Sequence, residues 1–174
     1  MWVQIKENSS LNSKNKQLVQ KIENGIVIDH IPEGVGLAVY ELLCKRSKHI
    51  GFDPKKTRTV ILTSTESKKY RKKDLIKIEN TYPTKNEIDL IAILAPTATI
   101  VTIKNWKVVE KYEAKIPELI PGEILKCPNQ TCITYDGHEP VKAKFRVNSN
   151  NGVTSLQCWY CGRNLEGLIL QYIE

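Results

Sequence analysis

Residues 127–132 are Cys-Pro-Asn-Gln-Thr-Cys, and residues 158–161 are Cys-Trp-Tyr-Cys. Each short loop brings two sulfurs to one side of the chain, and a β-hairpin between the two pairs can close all four around one ion. Four thiolates complete the coordination of a tetrahedral zinc ion and leave no position for water or substrate. The pattern therefore predicts one structural Zn²⁺ per chain, held by Cys127, Cys132, Cys158 and Cys161.

The remaining cysteine usage supports a metal site over disulfides. The chain has five cysteines, an odd number, and its first ten residues lack a basic region followed by an apolar stretch, so we expect a cytoplasmic protein whose thiols stay reduced. Thiol–disulfide exchange at residues 158–161 is an alternative that the CxxC spacing allows, but the second cysteine pair argues against it. The fifth cysteine, Cys44, is expected in the apolar core.

The cysteines define a small C-terminal unit. Two prolines in residues 113–122 indicate a linker, so residues 123–174 form the predicted zinc-binding domain. Residues 141–147 alternate apolar and cationic side chains, which predicts a strand, and Asn151-Gly152 predicts the turn after it. About 50 residues enclose too little core to fold reliably alone, so folding of this all-β zinc ribbon should depend on the metal.

The N-terminal part has a different pattern. Residues 1–16 are mostly polar and are interpreted as a flexible extension, and residues 17–112 as a domain of their own. Two predicted helices, one opened by Pro32 and one by the capping box of Thr84 and Glu87, lie between apolar segments. The order strand, helix, strand, strand, helix, strand, strand indicates an α+β fold, a ferredoxin-like (split βαβ) sandwich with an antiparallel sheet.

Charge separates the two parts. The net charge is +7, and residues 1–112 contain 20 Lys and Arg against 12 Asp and Glu, so the basic excess lies there. An anionic ligand is therefore expected on the first domain.

A zinc-ribbon nucleic-acid-binding protein is the alternative, suggested by the run from Lys68 to Lys73. It is disfavoured because only Tyr70 falls within that run, whereas stacking on bases requires several aromatic rings. A third hypothesis, an independent enzyme, has no nucleophile, base or open metal site to support it in the sequence.

Three segments together resemble the regulatory chain of aspartate carbamoyltransferase. They are residues 24–32 (Asn-Gly-Ile-Val-Ile-Asp-His-Ile-Pro), residues 71–81 (Arg-Lys-Lys-Asp-Leu-Ile-Lys-Ile-Glu-Asn-Thr) and the cysteine pattern, and the likeness spans roughly residues 17 to 172. The resemblance implies a non-catalytic subunit of a cytoplasmic enzyme that controls the first committed step of pyrimidine biosynthesis. Family members bind CTP as an inhibitor and ATP as an activator, and UTP is a third candidate effector. Six of these chains, paired as dimers, join six catalytic chains, with no nucleic acid or membrane involved.

The same resemblance implies which residues bind each partner. Asp29 matches a ribose ligand, Lys77 and Lys111 match donors to ribose and phosphate, and His30 and Lys73 lie towards the triphosphate. The base would be held by Val19, Ile22, Ile103, Trp106 and Val108. Val101 stands where an asparagine is usual near the base. In the first cysteine loop, Asn129 matches a contact to the catalytic chain.

Overall fold

The structure is a computed structural model that describes residues 20–135, 139–150, 153–165, 167 and 169–173. Val19, the predicted extension of residues 1–16 and the predicted Asn151-Gly152 turn lie outside these residues.

The N-terminal part is a five-stranded antiparallel sheet with helices. Its elements in chain order are β1 (Gly25–Ile31), α1 (Gly36–Lys45), α2 (Ser47–Ile50), β2 (Thr59–Ser67), β3 (Arg71–Glu79), α3 (Lys85–Leu94), β4 (Thr99–Lys104) and β5 (Lys107–Glu113). The strand order is β2-β3-β1-β4-β5. Strands β1 to β4 follow the split βαβ order and β5 extends the sheet, so the predicted ferredoxin-like fold is confirmed.

The sheet has two chemically different faces. Strand alternation places Ile26, Ile28, Ile76, Ile78 and Ile100 on one face, where they are buried together with helix residues such as Leu42 and Leu90. The opposite face, here called the open face, carries the side chains of alternate residues that are partly or fully exposed. They include Val27, Asp29, Lys73, Lys77, Val101 and Lys111.

Asp74 connects the sheet to the start of α1. Its side chain is buried, and its two carboxylate oxygens accept the backbone N–H groups of Gly36 at 2.9 Å and Ser64 at 2.8 Å. A Cβ at residue 36 would lie 3.0 Å from the Asp74 side chain, so this close approach favours glycine. The helix therefore begins at Gly36 and not at Pro32 as the sequence suggested, because Asp74 provides the acceptor for its first turn.

The sequence predicts a two-residue turn at Lys104-Asn105 between β4 and β5, and the structure places this turn differently. The β4–β5 turn is Asn105-Trp106, one residue later than the expected Lys104-Asn105, and both of its residues have positive φ. The N–H of Asn105 donates to Asn24 Oδ1 at 3.0 Å and that of Trp106 to the Glu23 carbonyl at 2.9 Å. These long-range bonds compensate for a conformation that an aromatic residue rarely adopts.

The C-terminal part is a second antiparallel sheet. It contains β6 (Leu119–Pro121), β7 (Lys144–Asn150), β8 (Val153–Cys158) and β9 (Asn164–Leu165) in the order β6-β7-β8-β9, followed by a 3₁₀ helix, Ile169–Tyr172. Its buried residues include Ile120, Phe145 and Leu156. Strand β6 falls inside the predicted linker of residues 113–122 and pairs with β7, so part of that segment belongs to this sheet.

Candidate functional site: a thiol cluster and a cationic sheet face

The four predicted zinc ligands lie together. The sulfur atoms of Cys127, Cys132, Cys158 and Cys161 are all within 4.8 Å of one another. Two separations are 3.6 Å (Cys127 to Cys161) and 3.9 Å (Cys132 to Cys158), close to the roughly 3.8 Å expected between thiolates around a tetrahedral ion with bonds of about 2.3 Å. The donor set and its spacing therefore fit one metal ion.

Local backbone geometry presents these sulfurs. In the first loop the N–H of Cys132 donates to the Asn129 carbonyl at 3.0 Å. In the second loop the N–H of Gly162 donates to the Cys158 carbonyl at 3.0 Å, and Gly162 has a φ of 70°, which glycine adopts without strain. Each loop is therefore held by a tight turn, and the closest sulfur pairs given above join one loop to the other.

The four clustered thiols need a compensating positive charge if all of them are to ionise. Burial raises the pKa of the Cys127 and Cys158 thiols. At Cys161 burial also opposes ionisation, but hydrogen bonds from the Arg163 backbone, Asn129 and neighbouring thiols outweigh it and lower the pKa to about 6. Because buried thiols in contact cannot all ionise unaided, a bound cation would supply the compensating charge for four thiolates.

A row of four residues crosses the open face. Strand pairing sets Lys77 opposite Val27, Val27 opposite Val101, and Val101 opposite Lys111. Adjacent strands lie about 4.8 Å apart, so the two lysine Cα atoms are separated by about 14 Å across an apolar floor. This arrangement suits an anionic ligand that lies across the strands.

Asp29 and His30 form the next feature along β1. The pairing of β1 with β3 shifts between Ile28 and Ile31, and His30 has a φ of 57°. Its N–H donates to Asp29 Oδ1 at 2.7 Å, its carbonyl accepts the Thr97 hydroxyl at 2.7 Å, and Lys73 Nζ lies 2.6 Å from the same Asp29 oxygen. A non-glycine residue held at positive φ by its neighbours is a common feature of binding sites.

Lys77 is partly shielded from water. Its ammonium group donates to the Gln20 carbonyl at 3.0 Å. Burial lowers the pKa of Lys77, and the negative charge of Asp29 opposes part of that effect. A cation with a desolvation cost of this kind gains more from a new anionic partner than a fully hydrated lysine does.

The residues expected around a base fall into two groups. Ile22 is buried, and Ile103 is half-buried between Gly25 and Val108. Trp106 and Val108 are exposed by 60% and 63%. The bond between the Trp106 N–H and the Glu23 carbonyl brings the β4–β5 turn beside the segment that contains Ile22.

Apart from Ile22, the residues that line a cavity beside Lys77 were not identified as ligands from the sequence. A cavity of about 240 Å³ beside Lys77 is lined by Gln20, Lys21, Ile22, Arg58, Val60 and Glu79. Arg58 contacts both Gln20 Oε1 at 3.2 Å and Glu79 Oε1 at 3.4 Å. No local signal identifies Arg58, because its relation to Lys77 depends on the pairing of β2 with β3.

The two cysteine loops also form a surface, which includes Asn129, the residue predicted to contact the catalytic chain. Asn129 is partly exposed, and its Oδ1 accepts the N–H of Thr131 at 3.2 Å and the Thr131 hydroxyl at 2.9 Å. Trp159 is 52% exposed, with the Arg146 guanidinium 4.7 Å from its ring centroid. Aromatic and arginine side chains of this kind are enriched at protein interfaces.

Within the described residues, no helix is long and apolar enough to cross a membrane.

Comparisons with known proteins cover both parts of the chain. Residues 17–115 match the family model described as "Aspartate carbamoyltransferase regulatory chain, allosteric domain", and residues 121–170 match the model described as its metal binding domain. Similar proteins named "Aspartate carbamoyltransferase regulatory chain" occur in Staphylothermus marinus, Hyperthermus butylicus and Pyrococcus horikoshii. The first is 44% identical over 92% of this chain and 93% of the relative, the second 41% over 87% and 90%, and the third 42% over 85% and 91%.

Proposed function

Because the chain belongs to the family of aspartate carbamoyltransferase regulatory chains, we propose that it binds nucleoside triphosphates on the open face of its first sheet and transmits that binding to a catalytic chain. CTP and ATP are the proposed effectors, with UTP as a third candidate, in the control of the first committed step of pyrimidine biosynthesis. As a regulatory chain it is itself non-catalytic. The observation that carries the proposal is the row from Lys77 to Lys111 beside the Asp29–His30 bulge.

Each group on the open face has a chemical role in this proposal. The carboxylate of Asp29 accepts hydrogen bonds from ribose hydroxyls, while Lys77 and Lys111 donate to ribose and phosphate oxygens. Lys73 and His30 lie towards the terminal phosphates. The base would lie near Ile103 and the Asn105-Trp106 turn, where Val19, Ile22 and Val108 complete its surroundings.

Zinc is the proposed metal of the C-terminal domain. Four thiolates in a closed tetrahedral set are typical of structural zinc and supply no open coordination position for chemistry. The small core of this domain supports a folding role for the ion, because metal binding in such modules contributes directly to folding. Stable reduced thiols are also consistent with the proposed cytoplasmic location.

The proposed partners are a catalytic chain and a second regulatory chain. Asn129 lies on a loop fixed at both ends by metal ligands, so its side chain would be presented in one orientation to the catalytic chain. Exposed Trp159 and Tyr160 in the second loop add apolar contact area next to it. Effector binding can alter the activity of the complex only if the nucleotide binds two quaternary states with different affinities.

The test is a calorimetric titration of CTP, ATP and UTP into the purified, metal-loaded chain, repeated with Lys111→Ala. Saturable binding that weakens in the variant is expected, since Lys111 terminates the row across the sheet. Co-purification with the catalytic chain, and a nucleotide-dependent change in its activity, would establish the regulatory role. Absence of nucleotide binding to folded, metal-loaded protein would overturn the effector proposal.

A further inference from the structure

The tip of the β2–β3 hairpin is a compact cationic segment. It joins β2, which ends at Ser67, to β3, which starts at Arg71, and its residues Lys68, Lys69 and Tyr70 are all exposed. Arg71 has a φ of 61°, and the N–H of Lys72 donates to the Tyr70 carbonyl at 2.6 Å. These features give the tip a defined turn that presents cationic side chains to solvent.

This tip lies next to the Asp29–His30 bulge. The Tyr70 ring meets the His30 ring edge-on, with centroids 5.7 Å apart and an interplanar angle of 70°. Lys69 Nζ lies 4.9 Å from the centroid of the Tyr70 ring. Tyr70 thus bridges His30 on β1 and the ammonium group of Lys69.

The charge of Lys69 also interacts with a carboxylate on the row of the open face that contains Asp29. Its contact with Tyr70 raises the pKa of Lys69, and the charge of Glu113 at the end of β5 adds to that rise. Glu113 is opposite Thr99 in the sheet, and Thr99 is opposite Asp29. Because Tyr70 contacts both Lys69 and His30, Lys69 lies near the row of the open face that contains Asp29. That row is two residues further along β1 than the row from Lys77 to Lys111.

From this geometry we propose that the hairpin tip caps the phosphate end of the effector site, with Lys69 as a ligand of the terminal phosphates and Tyr70 as the residue that positions it. The inference rests on the proposed nucleotide site and adds a second element to it. The ammonium group of Lys69 exchanges its weak contact with the Tyr70 ring for charge-assisted hydrogen bonds to phosphate oxygens. Because only a long polyphosphate reaches the tip, the hairpin distinguishes nucleoside triphosphates from monophosphates.

Lys68 provides a matched control. It is exposed on the same turn, carries the same charge and differs from Lys69 in lacking the contact with the Tyr70 ring. Lys68→Gln and Lys69→Gln each remove one positive charge, so general electrostatic attraction falls equally in the two variants. Any difference between them reports on the position of Lys69.

The experiment titrates CTP and CMP into the full metal-loaded chain and into both variants by calorimetry, with the thermal unfolding of each variant as a check on folding. Lys69→Gln should weaken CTP binding roughly 3- to 10-fold and CMP binding less than about twofold, while Lys68→Gln should change both less than about twofold. Equal CTP affinities in the two variants, or equal losses for CTP and CMP in Lys69→Gln, would overturn the cap while leaving the nucleotide site intact. A wild-type chain that binds no nucleotide would instead refute the proposed function and the cap with it.

Discussion

The ammonium group of Lys73 lies 2.6 Å from Oδ1 of Asp29 on the open face of the sheet. The Lys73 side chain is 18% exposed and that of Asp29 is 24% exposed, so water screens the pair less than it would screen a surface ion pair. The same Asp29 oxygen accepts the N–H of His30. Asp29 therefore fixes Lys73 and the His30 bulge as one unit before any effector binds.

Substitution of Lys73 should weaken effector binding more than substitution of its neighbour. Lys73→Ala removes a cation from the phosphate end of the site and leaves the Asp29 carboxylate without this ion pair, so we expect CTP affinity to fall about tenfold or more. Lys72→Ala is the control, since Lys72 pairs with Glu33 at 3.3 Å, and it should change affinity less than about threefold. Calorimetric titration measures both, and equal losses would contradict the role of Lys73.

Local signals in the sequence predict several elements of the five-stranded N-terminal sheet and its helices. Runs of β-branched residues predicted β1 and β4, and the capping box of Thr84 and Glu87 predicted α3, which begins at Lys85. For the next two strands the sequence predicted only residues 59–63 and 75–78, whereas β2 continues to Ser67 and β3 already begins at Arg71. These outer segments are polar and exposed, so their strand structure depends on cross-strand pairing and leaves no hydrophobic pattern.

The candidate site also has one part that the sequence predicts and another that it does not. The spacing of the four cysteines was sufficient to predict their cluster, because both loops are short and the chemistry of thiolates is specific. The contact between Lys73 and Asp29 and the edge-on packing of Tyr70 against His30 join residues 40 or more positions apart. Only the register of β1 against β3 brings them together, and register is set by the whole sheet.

Effector binding should take up protons at alkaline pH through Lys77. Burial lowers the pKa of the free Lys77 ammonium group, and a bound phosphate would raise that pKa again. Between the free and bound values the complex holds more protons, so affinity should fall as pH rises above the lowered free-state pKa.

Calorimetry of CTP binding in two buffers of different ionisation enthalpy measures this proton uptake. The control is Lys77→Arg, which remains charged throughout and should therefore bind CTP with less proton uptake. Identical uptake by the wild type and Lys77→Arg would show that another group titrates.

Removal of the metal should unfold the C-terminal sheet and leave the N-terminal sheet folded. The thiol cluster holds the loop that leads from β6 and the loop that follows β8, so without a cation the buried sulfurs lose the interaction that closes the domain. Hydrogen exchange should accelerate in β7 and β8 after chelation, while β1 and β4 remain protected.

Cys127→Ala should abolish stoichiometric metal binding, because three thiolates cannot complete the tetrahedral set. Cys44→Ala is the control, since Cys44 lies on α1 and outside the cluster, and it should retain one metal ion per chain. Elemental analysis of the folded proteins measures the ratio. Full metal content in Cys127→Ala would exclude this cysteine as a ligand.

A buried ion pair joins Arg46, at the end of α1, to Glu87 on α3, and breaking it should destabilise the first domain. Arg46 Nε donates to Glu87 Oε1 at 3.0 Å, and the two side chains are 5% and 0% exposed. Glu87 Oε2 also accepts the N–H of Thr84 at 3.0 Å, so one carboxylate caps α3 and fixes it to the end of α1. Glu87→Ala should reduce the free energy of unfolding by about 3–5 kcal/mol, because it leaves a buried guanidinium group without its carboxylate.

The pair of Lys85 and Asp89 on the same helix provides the comparison. The Lys85 side chain is 83% exposed, so Lys85→Ala should cost less than about 1 kcal/mol. Urea unfolding of both variants separates the two cases. If the cost of Glu87→Ala arises from the loss of its ion pair with Arg46, then the double substitution Arg46→Met with Glu87→Leu should recover much of the loss, since well-packed apolar residues can replace a buried ion pair. A double variant as unstable as Glu87→Ala would instead attribute the cost to the lost cap of α3 and to packing.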